Sequence, residues 1–330
     1  PRSGANCGQY RVVYGKLSGQ SNFANRMLII FEAVLPNPNP AQGLAACLPV
    51  AKFWDKLTSD ASVTDRAAKL QSFYFNGLPG FAPIIRASNY GFGNTSNTGQ
   101  IRTNMFMNVV SGQEWELREF RLSQKCVGTA CTLTANNTFV QNNPFGPLFG
   151  GSDTASQAFQ TAFIKQVPHL AARSIAGIGM STAGVDDGPQ SDEQFPTNQN
   201  YFSEAQSNTA FLTNITTKLH AIGRSDLTAQ NILDRATTQG CAGCHELSNG
   251  APLGAGLTWP FSNGFTQVSE TSQLSPALTQ AFLPARATVL VNFINAHCSA
   301  PDGGADGSAP VPSGADDTTK LGGGPVGSAN

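Results

Sequence analysis

The stretch Ser225-Asp226-Leu227-Thr228-Ala229-Gln230-Asn231-Ile232-Leu233-Asp234-Arg235-Ala236-Thr237-Thr238-Gln239-Gly240-Cys241-Ala242-Gly243-Cys244-His245 decides how the chain is read. From Thr228 to Thr238 the apolar residues recur at i, i+3 and i+4, which predicts an amphipathic helix, with Ser225 or Asp226 available as its N-cap. Gly240 lets the chain leave that helix. Two cysteines then follow, separated by the small residues Ala242 and Gly243, with His245 directly behind them.

Cys-x-x-Cys-His is the attachment pattern of c-type haem. Two thiols one turn apart add across the vinyl groups on one porphyrin edge, and the next side chain, His245, reaches the iron. Small residues between them let the backbone lie against a flat macrocycle. Other readings stay open. A zinc site could draw on Cys241, Cys244, His245, His297 and Cys298, although the spacing of paired knuckles is missing. The two cysteines could also form an ordinary structural disulfide. A thioredoxin-like redox pair needs a βαβ context, and none surrounds it.

Residues from about Asp226 to Cys298 resemble a cytochrome c domain: a leading helix (Asp226 to Thr238), Cys-x-x-Cys-His, a glycine-rich loop (Leu247 to Phe265) and a terminal helix (Pro276 to His297). The resemblance covers under a third of the chain. It implies thioether links at Cys241 and Cys244, His245 as proximal iron ligand, and a terminal helix packed back across the leading one. Trp259 falls where the family's distal loop lines the haem. The family's usual downstream Met ligand is missing, since no Met follows Met180. Met180 is therefore the first candidate for the sixth ligand, with His297, His220 and an open site as alternatives.

Around this centre, 330 residues carry Lys+Arg 20 and Asp+Glu 21, a net charge of −1 and only 12% charged residues. That is half the roughly 25% of an average domain. Clustered cations for nucleic acid are lacking, and so is the charge excess of a disordered chain. No apolar run approaches the roughly 20 residues of a membrane span. The opening Pro1-Arg2 is read as that of a processed or partial chain, which fits export. Cys126 and Cys131 bracket a Val-Gly-Thr-Ala loop that a local disulfide can close, and Cys7 with Cys47 is the second expected pair. Cys298 is left over. Disulfides imply an oxidising compartment, so a periplasmic, outer-surface or extracellular location is expected.

The fold expectation is α+β. Residues 1–150 read as a β-rich domain with inserted helices: strands at Gln9 to Tyr14 and Arg26 to Val34, helices at Val50 to Leu57 and Asp65 to Phe75 (N-cap Thr64), and a hairpin of Gln100 to Val110 with Glu114 to Leu122. A Gly/Pro/Asn-rich stretch at Asn136 to Gly151 marks the boundary to a mainly helical domain, 151–300, with predicted helices at Ser156 to Val167 and Phe202 to Ile222. Pro284 predicts a kink in the terminal helix, whose buried stripe is read as Leu278, Phe282, Leu290, Phe293 and Ile294. Residues 301–330 are a Gly/Ala/Ser/Pro-rich tail, a candidate for self-association.

The functional expectation is an exported mono-haem c-type cytochrome that transfers electrons to a redox partner not identified by the sequence. The alternatives are a haem enzyme with an open distal site, of peroxidase or oxygenase type, and an extracellular self-assembling surface protein that carries haem.

Overall fold

A computed structural model of the chain describes residues 4–92, 98–109, 112–182, 187–188, 191–192 and 200–298. The tail and the Ser111 turn of the expected hairpin lie outside these residues. The fold is α+β. Strands β1 (Asn6–Gly15), β2 (Met27–Pro36), β3 (Gly99–Val109), β4 (Gly112–Val127) and β5 (Ala130–Thr138) form an antiparallel meander in sequence order. A two-residue strand, Ser191–Asp192, joins β4. The expected strands and the β3–β4 hairpin are all present.

The pairing register sorts the sheet into two faces, because residues directly opposite in an antiparallel pair point the same way. On one face Phe31 pairs Ile101, and Ile101 pairs Phe120. This apolar face is covered by α1 (Leu48–Ser59) and α2 (Val63–Asn76), which build a core from Ala33, Leu35, Val50, Phe73, Ile84 and Ile101. Helix α2 is capped two residues earlier than expected: Ser62, not Thr64, accepts from the Asp65 N–H. Ser62 is the residue with a free hydroxyl three positions before an exposed N–H, the usual capping geometry.

The other face is polar and equally buried. Glu32 and Glu119 are 0% exposed, Asn104 1% and Arg102 3%. Arg11 Nε lies 3.0 Å from Glu32, Arg102 Nε 3.6 Å from Glu32, and Arg102 Nη2 3.1 Å from Glu119. Gln100 donates to Glu32 as well. Burial alone would lower the Arg102 pKa, but Glu32 and Glu119 more than offset it and hold the guanidinium raised and charged.

What covers this face is the helical half. Its core gathers Phe149, Phe159, Phe163, Tyr201, Phe211 and Leu233 from α3 (Thr154–Ile164), the turn Tyr201–Ala205, α4 (Thr209–Ala221) and α5 (Ala229–Thr237). The expected helix at Phe202 to Ile222 is divided, because Asn208 turns its side chain to the Phe211 N–H and caps a new helix there. The leading helix α5 is capped by Thr228 rather than Ser225 or Asp226, in a reciprocal box with Asn231. Arg235 of α5 is 0% exposed. It donates to the carbonyls of Leu170, Ala172, Leu253 and Gly254, so one cation ties the helix to two loops. The stretch expected as a boundary holds ordered elements: the end of β5, then β6 (Val140–Pro144) and a helical turn at Pro147–Gly150.

The terminal segment divides as Pro284 predicts. A wide π-helical turn, Ala277–Phe282, precedes α6 (Leu283–Cys298), and Pro284 occupies the first turn of α6, where its missing N–H costs nothing. Leu278 and Phe282 are buried in the helical core, with Phe282 edge-on to Trp259 at 5.7 Å. Leu290, Phe293 and Ile294 are only half-buried, because α6 runs out along α1 of the other half. Ala277–His297 is the one helix among the described residues long and apolar enough to cross a membrane by length and composition.

Both expected disulfides are formed, Cys7–Cys47 and Cys126–Cys131, at sequence separations of 40 and 5. They fit an oxidising environment. Cross-linking restricts the unfolded chain more when the closed loop is longer, so replacing Cys7 and Cys47 by Ser should lose about 4 kcal/mol of stability and replacing Cys126 and Cys131 about 2 kcal/mol. Urea unfolding midpoints of the two double variants measure this. Equal losses would show that the chain-entropy argument does not govern here.

Candidate functional site

The Cys-x-x-Cys-His segment leaves α5 and continues as a helical turn that widens to π form over Gly243–Leu247. Such π turns recur at functional positions in helices. Gly243 is required by packing: a Cβ there would lie 1.8 Å from the Thr237 carbonyl oxygen. Two backbone N–H groups of the turn are held from outside the helical core. Asn143 of β6 accepts from Cys241 N–H at 3.0 Å, and the Ser191 hydroxyl accepts from Ala242 N–H at 3.1 Å. Gln267 donates to the Cys244 carbonyl at 2.9 Å.

All three candidate donors are sealed: Cys241 and His245 are 0% exposed and Cys244 3%. The two cysteines are not bridged to each other, so the structural-disulfide reading is not realised. Cys241 packs with Trp115, Leu117 and Val140 of the sheet half, whereas Cys244 joins the helical core. Burial pushes the Cys241 thiol up to about 12, partly opposed by Arg102. No group of three His, Cys, Asp or Glu side chains able to hold a metal occurs among the described residues. The zinc reading, for its part, also called on Cys298, whose side chain lies outside them.

His245 is oriented by the polar face of the sheet. Its Nδ1 lies 2.8 Å from the Phe265 carbonyl oxygen and 3.1 Å from Asn104 Nδ2. Asn104 Nδ2 also donates to the Phe265 oxygen at 2.7 Å, and its Oδ1 accepts from Trp115 Nε1. The Phe265 carbonyl can only accept and is the nearer neighbour of Nδ1, while Asn104 Nδ2 gives a hydrogen to that same carbonyl; Nδ1 is therefore assigned the proton and Nε2 the lone pair. Nε2 is buried and has no hydrogen-bond partner. Burial pushes the ring pKa down to about 4; the Phe265 bond opposes this, while nearby Arg102 and Arg11 add to it. The imidazole is therefore neutral at physiological pH. Trp115 lies against the ring at 5.2 Å.

The Phe265 carbonyl is itself fixed. Phe265 has a left-handed backbone (φ 61°), a conformation that a bulky residue adopts only when its surroundings hold it there. Glu246 accepts from its N–H at 3.1 Å and from Ser262 and Asn249 at 3.0 Å each. Arg26 at the foot of β2 pairs with Glu270 at 2.9 Å and donates to the carbonyls of Asn263 and Gly264. The loop that aims at His245 is thus strapped to the sheet on one side and to the motif on the other.

Of the remaining predicted residues, Met180 and Trp259 share the helical core with Cys244, and His220 and His297 do not. Met180 is 2% exposed within the helical core. Trp259 is buried there too, with its Nε1 unpaired. His220 is exposed and bonded to Ser225 at 2.9 Å. His297 lies on α6, bonded to the Phe293 carbonyl at 2.8 Å. Sequence reasoning missed Asn104, Trp115, Phe265, Glu246, Asn143 and Ser191. One signal for the first was present: Gln100, Arg102 and Asn104 alternate along β3, a polar strand face opposite the lone acid, Glu32, of an otherwise apolar β2.

The donor set fits a c-type haem in its chemistry: two unbridged thiols at the required spacing, and a neutral imidazole whose Nδ1 is anchored by a carbonyl while its buried Nε2 has no partner.

Asn104 serves two groups at once, the Phe265 carbonyl and the Trp115 indole. Its replacement by Ala should leave the Trp115 N–H unsatisfied and cost about 2 kcal/mol, read from urea unfolding. Wild-type stability would show that water takes over the amide's bonds. A second expectation concerns α5, where burial raises the half-buried Asp234 carboxyl from 3.8 to about 6. The folded chain then binds the proton more tightly than the unfolded chain, so this group's contribution to stability falls as pH rises through that window. Asp234→Asn should stabilise the protein by about 1 kcal/mol at pH 7.5, after allowance for solvent screening, and by nothing below pH 4. A gain that persists at pH 3.5 would assign the effect to something other than this carboxyl.

No family model, no curated protein and no solved structure matches the chain, so its functional reading stands on the residues themselves.

Proposed function

We propose that the chain is an exported mono-haem c-type protein whose haem is covalently held by Cys241 and Cys244, with His245 as proximal iron ligand, and that its role is electron transfer. The observation that carries this reading is the state of His245: buried, neutral, its Nδ1 donating to the Phe265 carbonyl and its Nε2 without a partner. A metal-bound imidazole is normally held in this way, by a hydrogen bond from the nitrogen that does not touch the metal. The two disulfides support an oxidising, exported setting.

When bound, the group supplies one-electron redox chemistry at iron. The chain's own residues do the rest. The Phe265 carbonyl, itself held by Asn104, fixes the ring orientation and tautomer of His245. Trp115 and the buried sheet face keep water from it. The charges of Arg102, Arg11 and Glu32, close enough to shift the His245 pKa, also set the electrostatic field in which an iron would change its charge. Because the three donors are sealed, a group of porphyrin size has to enter before the sheet closes over the motif. Met180 is the first candidate for the sixth ligand, and an open site gives the enzymatic alternative.

The test is export of the chain in a host able to attach haem, followed by a denaturing gel stained for haem and a pyridine haemochrome measurement. One covalent haem per chain is expected, lost in Cys241→Ala/Cys244→Ala. Absence of covalent haem from the folded wild type would overturn the reading. Spectra of the reduced protein with and without carbon monoxide then separate the two roles: no shift supports the electron carrier, and a shift supports the open-site enzyme. If Met180 is the ligand, Met180→Leu should make a silent wild type sensitive to carbon monoxide.

A further inference from the structure

Where α6 meets the other half of the molecule, the two form a cavity of about 270 Å³ that is open to solvent on one side. The Cys7–Cys47 disulfide forms part of its wall. Tyr10, Val50 and Trp54 line the side nearer the sheet, and Val289, Leu290 and Phe293 of α6 line the other. The lining is almost wholly apolar and contains one charged side chain, Arg286 of α6, and no Asp or Glu. None of this belongs to the Cys-x-x-Cys-His site.

Arg286 is out of place there unless something answers it. Among the described residues it makes no ion pair, and burial lowers its pKa to about 10, with the neighbouring cation Arg11 adding to the shift. Arg11 itself is committed to Glu32. Trp54 Nε1, buried on the same wall, has only the Tyr10 hydroxyl beside it. Arg286 is half-buried, and a cation held against an apolar wall without a counter-ion carries an uncompensated desolvation cost. A mainly apolar pocket whose one charged group is a cation without an ion pair, and whose wall holds no Asp or Glu, is complementary to an anion with an apolar body. Arginine is the side chain best matched to a carboxylate, through two parallel N–H···O bonds. The volume lies near the lower end of the ≈300–1,000 Å³ range of small-molecule sites, which suits a ligand of modest size.

We propose that this cavity binds a small anionic amphiphile, a monocarboxylate with an apolar chain, with Arg286 receiving the carboxylate and the surface between α1 and α6 covering the chain. The ligand would join α6 to the disulfide-linked part of the molecule, and its site is independent of whether haem is attached.

Titration calorimetry of the full chain at pH 7.5 tests this, with sodium decanoate below its micelle concentration as probe and 1-decanol as its uncharged counterpart. Saturable one-to-one binding of decanoate is expected, with decanol weaker by about tenfold or more, the size of one charge-assisted contact. Arg286→Gln should weaken decanoate by a similar factor and leave decanol unchanged, while Arg286→Lys recovers part of the loss. Val289→Trp, which fills the cavity from the half-buried side of α6, should remove binding of both. Circular dichroism of each variant guards against misfolding. Equal affinity for the acid and the alcohol, an unchanged Arg286→Gln, unsaturable uptake, or no binding would each overturn the proposal.

Discussion

The structure depends on one constraint: a sheet whose polar face is buried. Glu32, Arg102 and Glu119 lie in the middle of that face, and removal of two carboxylates and a guanidinium from water is expensive unless each is paired. Pairing along the face meets part of the cost. The rest depends on a cover that offers polar partners of its own and keeps water out without leaving voids. The turn that carries Cys241 and His245, with the strapped loop at Phe265, provides that cover. The chemistry-bearing segment and the electrostatic centre of the sheet are therefore one construction. Neither half can be removed without exposing the other's least tolerant surface.

This arrangement departs from the cytochrome c resemblance in an instructive way. The resemblance implies a terminal helix packed back across the leading one. Here only Ala277–Phe282 enters the core that holds α5, and α6 goes on to rest against α1. The leading helix finds its support elsewhere, in the carbonyls of residues 170–172 and 253–254 around Arg235. A guanidinium has five donors in a fixed fork, so it can join several loop carbonyls that an apolar contact would leave unpaired. The helical half thereby frees its terminal helix to reach the other half of the molecule.

Much of the fold was legible because local rules decide it. Runs rich in Val, Ile, Tyr and Phe gave β1 and β2, period-2 alternation gave the β3–β4 hairpin, and Pro284 marked the change of helix type, whereas β5 was not read as a strand. Caps were legible in kind but not in position: Ser62 and Thr228 take the roles assigned to Thr64 and to Ser225 or Asp226, because the choice depends on which hydroxyl reaches an N–H after the chain has turned. The motif residues Cys241, Cys244 and His245 were legible from spacing. Their partners were not. Asn104 and Trp115 lie more than a hundred residues away on strands, and no one-dimensional pattern says which face of a sheet a distant turn will meet. Glu32 inside an apolar run and the Gln100, Arg102, Asn104 alternation were the traces of that contact. Alternation alone does not say whether such a polar face is solvated or sealed; the register and the cover over it do.

That burial changes what the first half of the chain is for. A strand face exposed to water would need no Asn at position 104, since water would satisfy Trp115 Nε1 and the Phe265 carbonyl equally well. Once sealed, the same position must donate to a carbonyl and accept from an indole within one side chain, which an amide does and a carboxylate, hydroxyl or ammonium does less completely. The proton on His245 Nδ1 then has one good acceptor, the tautomer is decided, and the lone pair on Nε2 is left without a partner in a dry environment. The β-rich half therefore acts on the motif directly: it sets the protonation, orientation and field of the one imidazole on which the proposed chemistry turns.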